Sequence, residues 1–597
     1  MTSPESPESQ SALKYAELLL KKGMQDEARA LLETLARQDP SCARARYLLA
    51  VLRASQGEPR EAAELFKEAL SLSAGDVRAL NGLGVALQQL KRPEEAASCY
   101  LEALRIDPRY LGARINLALL FKEHGMLSDA ERELDKGLSL DPGSVPLAYN
   151  LANVIHLQGR SLDAVDAYRR TLRLDPDHLD ARQNLLFALH YSSSFSQKEI
   201  YAEHLDAART LHFRPPAVTL PAAAPRSNGR IRVGYLSPDF RDHAVASFLE
   251  PILAHHDRER FEIFCYANLS RPDGTTERMK GLADHWRDIW GMGDEQAAGT
   301  IARDGIDILV DLAGHTSGNR LPLFARRPAP LQVTWIGYPD TTGLSQMDYR
   351  ITDRLADPPG TTERHHSEEL VRLPRSFCCY QPHPDAPEVA PPPSLADGRI
   401  TFGSFNNLCK VTPEVIALWS RVLHGVPGSR FLIKAPPLSD PQVRERLAAT
   451  FAGFGIEPGR VELQGGNRSI AEHLGEYRRV DIALDTSPYN GTTTTCEALW
   501  MGGPVVTLAG ERHSSRTGVS ILTNCGLEEL VAADAEAYLE TALRLAGDAG
   551  WLRRFREGTR EGLKGAPLLD AAGITRELEE ALLGMMQRGR RGCLGCR

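Results

Sequence analysis

The stretch Leu484-Asp485-Thr486-Ser487-Pro488-Tyr489-Asn490-Gly491-Thr492-Thr493-Thr494-Thr495-Cys496-Glu497 carries residue types that hold an anion. An apolar strand ends at Asp485, a turn passes through Asn490 and Gly491, and Thr492, Thr493, Thr494 and Thr495 open a helix. The free N–H groups and positive dipole end of such a helix suit a phosphate, so the segment reads as a pyrophosphate seat. Glu497 lies near the helix start, where its carboxylate either accepts from ribose hydroxyls or offsets the dipole. A second candidate is Lys410, in Gly403-Ser404-Phe405-Asn406-Asn407-Leu408-Cys409-Lys410-Val411-Thr412-Pro413-Glu414. Thr412, Pro413 and Glu414 form a helix start, which leaves Lys410 on the loop after a strand, where an ammonium can neutralise a departing diphosphate.

Such groups need strands to carry them. Short β-rich runs alternate with helix-like stretches at Ile231 to Leu236, Phe261 to Tyr266, Ile306 to Leu312, Leu331 to Ile336 and Tyr349 to Thr352. After a Pro-rich break from Pro382 to Pro393, a second series runs Ile400 to Ser404, Arg430 to Lys434, Val461 to Leu463, Asp481 to Leu484 and Pro504 to Leu508. The alternation predicts parallel strands covered by helices, as two Rossmann-like domains facing a cleft, with ligands beyond the carboxyl ends of the strands.

The first third has a different period. Gly23, Gly57, Gly125 and Gly159 lie on a 34-residue grid whose missing point is Lys91, and Ala28, Ala62, Ala96, Ala130 and Ala164 share the spacing. Pro40, Pro108, Pro142 and Pro176 close four of the units. This is the tetratricopeptide pattern, five units of paired antiparallel helices, with a sixth pair beginning at Leu179 and fading near Tyr191. Stacked units make an α-solenoid whose concave surface holds proteins; the plainer alternative is an array that dimerises or spaces the next domain. Gly82-Leu83-Gly84 lies inside a repeat helix and is read as packing rather than a dinucleotide loop.

At 597 residues one core is excluded, and 42% hydrophobic with 25% charged residues excludes wholesale disorder. A net charge of −8 argues against a nucleic-acid partner, and the chain lacks an apolar run long enough for a membrane span. Ten scattered cysteines suit a reduced compartment, so a cytoplasmic location is expected.

The runs YLSPDFRDHAVASFLEP, DLAGHTSGNR, RPAPLQVTWIGYPDTTG, DYRITDRLADPP, FGSFNNLCKVTPEV and LDTSPYNGTTTTCEALWMGGPVVTLAG closely resemble the protein O-glycosyltransferase family that contains O-GlcNAc transferase and SPINDLY. The resemblance covers nearly the whole chain. It implies a GT-B fold behind the repeats and inverting, metal-independent transfer from a nucleotide sugar to Ser/Thr of proteins. The Thr-Thr-Thr-Thr-Cys-Glu run, where O-GlcNAc transferases carry His-Thr-Thr and an Asp, resembles the SPINDLY branch, which implies GDP-fucose as donor, with UDP-GlcNAc as the alternative. By the same resemblance Lys410 meets the donor diphosphate, with Asn407 as the polar residue three before it. Thr493 and Thr494 meet the pyrophosphate, Glu497 the ribose, and His473 lies near the base. His243 matches a histidine favoured as catalytic base, and His315, which follows a strand end, competes with it. A reading of another class is a repeat scaffold whose GT-B region senses nucleotide sugars without turnover.

No metal and no other cofactor is expected. His365-His366 is read as solvated loop, and the terminal Cys593-Leu594-Gly595-Cys596 lacks a second pair. The expected organisation is a disordered tail 1–10, repeats 11–195, helix and linker 196–229, a first catalytic lobe 230–381 and a linker 382–397. A nucleotide-sugar lobe 398–585 and a basic tail 586–597 complete it. Protein substrates on the concave repeat surface and a nucleotide sugar are the expected partners, with a homodimer through the repeats as an open alternative.

Overall fold

The computed structural model describes residues 7–211, 229–466 and 469–594. Residues 212–228 of the predicted helix and linker 196–229, the first six residues and Cys596 lie outside the described residues. The chain divides into two compact units, Met1–Ile155 and His156–Arg597.

The first unit is built from helix pairs: Pro7–Lys21 with Gln25–Gln38, Ala43–Ser55 with Pro59–Leu72, Val77–Gln89 with Pro93–Ile106, and Leu111–Glu123 with Leu127–Leu140. The 34-residue grid has a backbone cause. Gly23, Gly57 and Gly125 take φ of +76°, +78° and +75° in the turn between paired helices, and Lys91 is held at +59° in the same place. Glycine reaches that left-handed region without the Cβ clash that Lys91 bears. Gly82 and Gly84 are packing positions: a Cβ at Gly82 would lie 2.4 Å from the Phe66 ring, and one at Gly84 2.4 Å from the Tyr100 ring. The predicted disordered tail 1–10 is corrected at its end, because the first helix starts at Pro7, a residue preorganised for the first helical position.

In the second unit two all-parallel sheets share one topology. The first comprises β1 (Ile231–Ser237), β2 (Phe261–Ala267), β3 (His285–Asp288), β4 (Ile308–Asp311), β5 (Leu331–Thr334), β6 (Tyr349–Asp353) and β7 (Glu369–Leu373), in the order β3-β2-β1-β4-β5-β6-β7. The second comprises β8 (Thr401–Ser404), β9 (Arg430–Lys434), β10 (Val461–Gln464), β11 (Ile482–Leu484), β12 (Val505–Leu508) and β13 (Val531–Ala532), in the order β10-β9-β8-β11-β12-β13. This is the GT-B arrangement of two Rossmann-like lobes. β1 buries Val233 and Tyr235 in one core and Leu236 in the other, so helices cover both faces of the first sheet. Direct bonds join the lobes: Ser520 Oγ donates to Asp353 Oδ2 (2.5 Å), and His513 Nδ1 lies 2.7 Å from Asp357 Oδ2.

The last helix, Ala571–Leu594, corrects two expected boundaries. Ile574, Leu578, Leu582 and Met585, spaced along one helical face, are buried in the first lobe's core, so the chain crosses back from the nucleotide-sugar lobe before residue 585. The predicted basic tail from 586 continues this helix as far as Leu594.

Candidate functional site

In each sheet the strand order reverses next to the first strand, between β1 and β4 and between β8 and β11. Loops leaving such paired strands open a crevice at their carboxyl ends. In the second lobe, Lys410 follows β8 and the Asn490–Thr495 segment follows β11.

Asp485 organises this crevice. It is buried, and its carboxylate accepts from the backbone N–H groups of Thr486 (2.8 Å) and Gly491 (2.7 Å) and from Thr507 Oγ1 (2.6 Å). Burial raises its pKa to about 6 against these hydrogen bonds and against nearby Lys410. The Lys410 ammonium donates to the Asn490 carbonyl (2.8 Å) and lies 4.1 Å from the centre of the Tyr489 ring. Burial brings it down to about 8, with Asp485 acting in the other direction. The loop is fastened from behind. Ser161 Oγ donates to the Cys409 carbonyl (2.7 Å), Cys409 Sγ donates to the His156 carbonyl (3.0 Å), and Gly159, at φ +77°, leaves room for Leu408.

The helix Thr493–Trp500 starts beside that ammonium, and the Thr492 side chain makes no capping bond to its first turn. The four threonines divide. Thr495 is buried and its hydroxyl donates back to the Gly491 carbonyl (3.0 Å), whereas Thr492, Thr493 and Thr494 are only partly buried. Thr494 Oγ1 donates to Asn406 Oδ1 (3.1 Å). A Cβ at Gly491 would lie 2.4 Å from Thr494 Oγ1 and 3.1 Å from Asn406 Oδ1, so the glycine keeps the hydroxyls accessible. Further along, Lys434 Nζ donates to His473 Nδ1 (2.5 Å), and the opposite ring nitrogen Nε2 donates to Glu497 Oε2 (3.1 Å). Lys434 is buried, its ammonium lies 4.5 Å from the Phe405 ring centre, and burial lowers its pKa to about 8. Ammonium groups, an open helix start, hydroxyls and a carboxylate thus line one crevice, a donor set for a nucleoside diphosphate.

Of the predicted residues, Lys410, His473, Asn490, Gly491, Thr492 to Thr495 and Glu497 lie in or beside this crevice. Asn407 is exposed and caps the short Leu408–Lys410 turn by accepting from the Cys409 N–H (3.1 Å); its neighbour Asn406 is the asparagine that touches Thr494. Asn406 stood in the predicted Lys410 stretch without a role of its own, and Lys434 escaped the sequence reading. Lys434 had a signal, since it is the last residue of a strand whose carboxyl end faces the cleft.

His243 and His315 belong to the first lobe. His243 lies on the loop after β1 with its side chain 38% exposed and Nδ1 3.7 Å from Asp239 Oδ2. Burial lowers its pKa while Asp239 opposes the shift, and burial raises that of Asp239. His315, after β4, is 1% exposed; its Nε2 donates to the Thr342 carbonyl (2.9 Å), and its ring packs edge-on against Tyr338 and His204. Burial lowers its pKa to about 3. The reading of His365-His366 as solvated loop is corrected for His366, which is buried because its Nδ1 donates to the Thr362 carbonyl (3.0 Å) and turns the ring inward. All eight cysteines whose side chains are described are free thiols. Among the described residues no helix is long and apolar enough to cross a membrane.

The family described as Glycosyl transferase family 41 matches residues 180–383 and 393–578, and the tetratricopeptide repeat family matches 13–76, 52–110 and 115–178. A relative from Solanum lycopersicum, named probable UDP-N-acetylglucosamine-peptide N-acetylglucosaminyltransferase SPINDLY, is 43% identical over 408 residues, 67% of this chain and 43% of its own length. The Oryza sativa protein of the same name is 44% identical over 411 residues, 67% of this chain and 44% of its own length. The chain therefore spans under half the length of these curated relatives. A solved structure, a mutant of Thermobaculum terrenum O-GlcNAc transferase, superposes with a TM-score of 0.80 at 38% identity, covering 87% of this chain and 99% of that one.

Proposed function

We propose that this chain, which belongs to glycosyl transferase family 41, is a protein O-glycosyltransferase that moves a sugar from a nucleoside diphosphate to Ser/Thr hydroxyls of proteins held by its repeats. The carrying observation is the second-lobe crevice, where the Lys410 ammonium stands beside a helix start without a side-chain cap. Attack of an acceptor hydroxyl on the anomeric carbon expels the diphosphate, whose growing charge is met by Lys410 and the N–H groups at Thr493 to Thr495. Glu497, fixed by His473, accepts from the ribose. His243 is assigned to the acceptor side, where its imidazole takes the proton that the attacking hydroxyl loses, since His315 is sealed and its proton is committed to a carbonyl. This chemistry draws on side chains and backbone and is metal-independent.

GDP-fucose is the preferred donor, on the strength of the Thr492-Thr493-Thr494-Thr495-Cys496-Glu497 run. The names of the Solanum lycopersicum relative and of the Thermobaculum terrenum enzyme favour a second reading, UDP-GlcNAc. The test is a screen of both donors on the full chain with protein acceptors, read by nucleotide release and intact-protein mass. Fucosylation from GDP-fucose is expected; transfer from UDP-GlcNAc alone would replace the donor assignment. Tight donor binding without turnover in any extract would leave a sensor rather than an enzyme.

A further inference from the structure

Away from the donor crevice, two histidines of the helix pair preceding the first lobe meet an aspartate of the loop after β5. His190 caps the helix Leu179–Leu189, His204 lies within Gln197–Leu211, and both, like Asp340, are at most 2% exposed. One ring nitrogen of His190, one of His204 and a carboxylate oxygen of Asp340 all lie within 4.8 Å of one another. His190 Nε2 is 3.6 Å from Asp340 Oδ2, and the Tyr338 hydroxyl is 3.2 Å from His190 Nε2 and 2.8 Å from His204 Nε2. A tetrahedral zinc ion with bonds of about 2.0–2.1 Å sets its ligand atoms about 3.3 Å apart, which these separations bracket.

The surrounding bonds aim the His204 lone pair and the Asp340 carboxylate inward. His204 Nδ1 donates to the Ile200 carbonyl (2.7 Å), which leaves Nε2 unprotonated toward the cluster. Asp340 is braced at Oδ2 by Gln197 Nε2 (3.0 Å) and at Oδ1 by the Thr341 N–H (2.7 Å). Outer bonds of this kind orient metal-binding imidazoles and carboxylates. At the other carboxylate oxygen, His366 Nε2 lies 3.7 Å from Asp340 Oδ1 without a hydrogen-bond partner, and His190 Nδ1 also has none. Glu368, buried and bonded to Thr341 and Thr342, adds a second negative charge near His204, while the guanidinium groups of Arg350 and Arg512 act on His190 with the opposite sign.

We propose that this cluster is a structural zinc site, with His190, His204 and Asp340 as ligands and the Tyr338 oxygen completing the tetrahedron. Four protein groups leave no open position, so the ion fastens two helices to the first lobe and takes no part in transfer. The cluster shares no residue with the donor crevice.

The full chain, purified without a tag, is loaded with Zn2+, desalted and analysed by elemental mass spectrometry. About one zinc per chain is expected. Co2+ in place of Zn2+ is expected to give the visible absorption of a tetrahedral site. His204→Gln and Asp340→Asn lose the metal, while His366→Gln keeps it. Should the first two variants fail to fold, the wild-type melting temperature with and without Zn2+ decides, since binding to the native state raises it. Less than half an equivalent of zinc in the wild type, undiminished zinc in His204→Gln, or a melting temperature indifferent to Zn2+ would overturn the site.

Discussion

Each lobe ends its fourth-drawn strand with the same device. In the first, Asp311 at the end of β4 accepts from the N–H groups of Ala313 (3.1 Å) and Gly314 (2.9 Å) and from Thr334 Oγ1 on β5 (2.8 Å). In the second, Asp485 just beyond β11 accepts from the N–H groups of Thr486 and Gly491 and from Thr507 Oγ1 on β12. Both are buried, and burial raises both to about 6. The aspartate is therefore a loop anchor in both lobes, and the chemistry depends on what the anchored loop presents. Asp485 faces the Lys410 ammonium and holds a glycine beside accessible hydroxyls. Asp311 holds Gly314 against Tyr338 and directs His315 into a closed cluster. One topology thus yields a ligand crevice in one lobe and a structural knot in the other.

Removing the cation should break this comparison most sharply. Lys410→Ala is expected to lower kcat about 100- to 1,000-fold, as loss of a preorganised charge at a leaving group does, with little change in melting temperature. Steady-state nucleotide release together with calorimetry checks it, and unchanged turnover would remove Lys410 from the site. Next come two glycines. A Cβ at Gly337 would meet the Leu312 carbonyl oxygen at 1.9 Å, so Gly337→Ala in the knot should cost about 2–4 kcal/mol of stability, visible as a lower melting temperature. A Cβ at Gly491 meets mainly side-chain hydroxyls, which can turn away. Gly491→Ala should fold normally and raise the donor KM by about tenfold, or about 1.4 kcal/mol. If the alanine at 491 destabilised the fold while the donor KM held, the crevice reading would fail.

Much of this was legible in the residues. The central strands carry apolar runs bounded by turns, and the 34-residue period showed the repeats because one backbone position in each turn needs φ above zero. The edge strands β3 (His285-Trp286-Arg287-Asp288) and β7 were missed because one face of an edge meets water and breaks the run. The return of Ala571–Leu594 to the first lobe leaves no local mark, since any apolar stripe reads alike whichever core takes it. In the crevice, Lys410 and the threonines stood out by position, whereas Lys434 looked like any strand-ending lysine until its partner His473 was placed 2.5 Å away. His190, His204 and Asp340 come from three separate segments and share no spacing motif.

The smallest expected effect is a pH profile, and it separates the two anchors. Free-enzyme kcat/KM should fall on the alkaline side with a midpoint near 8, where Lys410 loses its proton and its attraction for the diphosphate. At that midpoint the loss is only about twofold. On the acid side it should fall near 6, where Asp485 is protonated and stops holding the Gly491 N–H. Stability runs the opposite way on the alkaline side. The Lys410 pKa lies below its ordinary value of 10.5, so between about 8 and 10.5 the native state binds fewer protons than the unfolded chain. That contribution to stability rises with pH across this window while activity declines. Lys410→Arg, which stays charged, should remove the alkaline limb. Asp311→Asn should leave that limb where it is, because among the described residues no ammonium bonds to the loop that Asp311 anchors. A shifted alkaline limb in Asp311→Asn would mean that the first-lobe anchor also tunes the cation, and the division between crevice and knot would have to be redrawn.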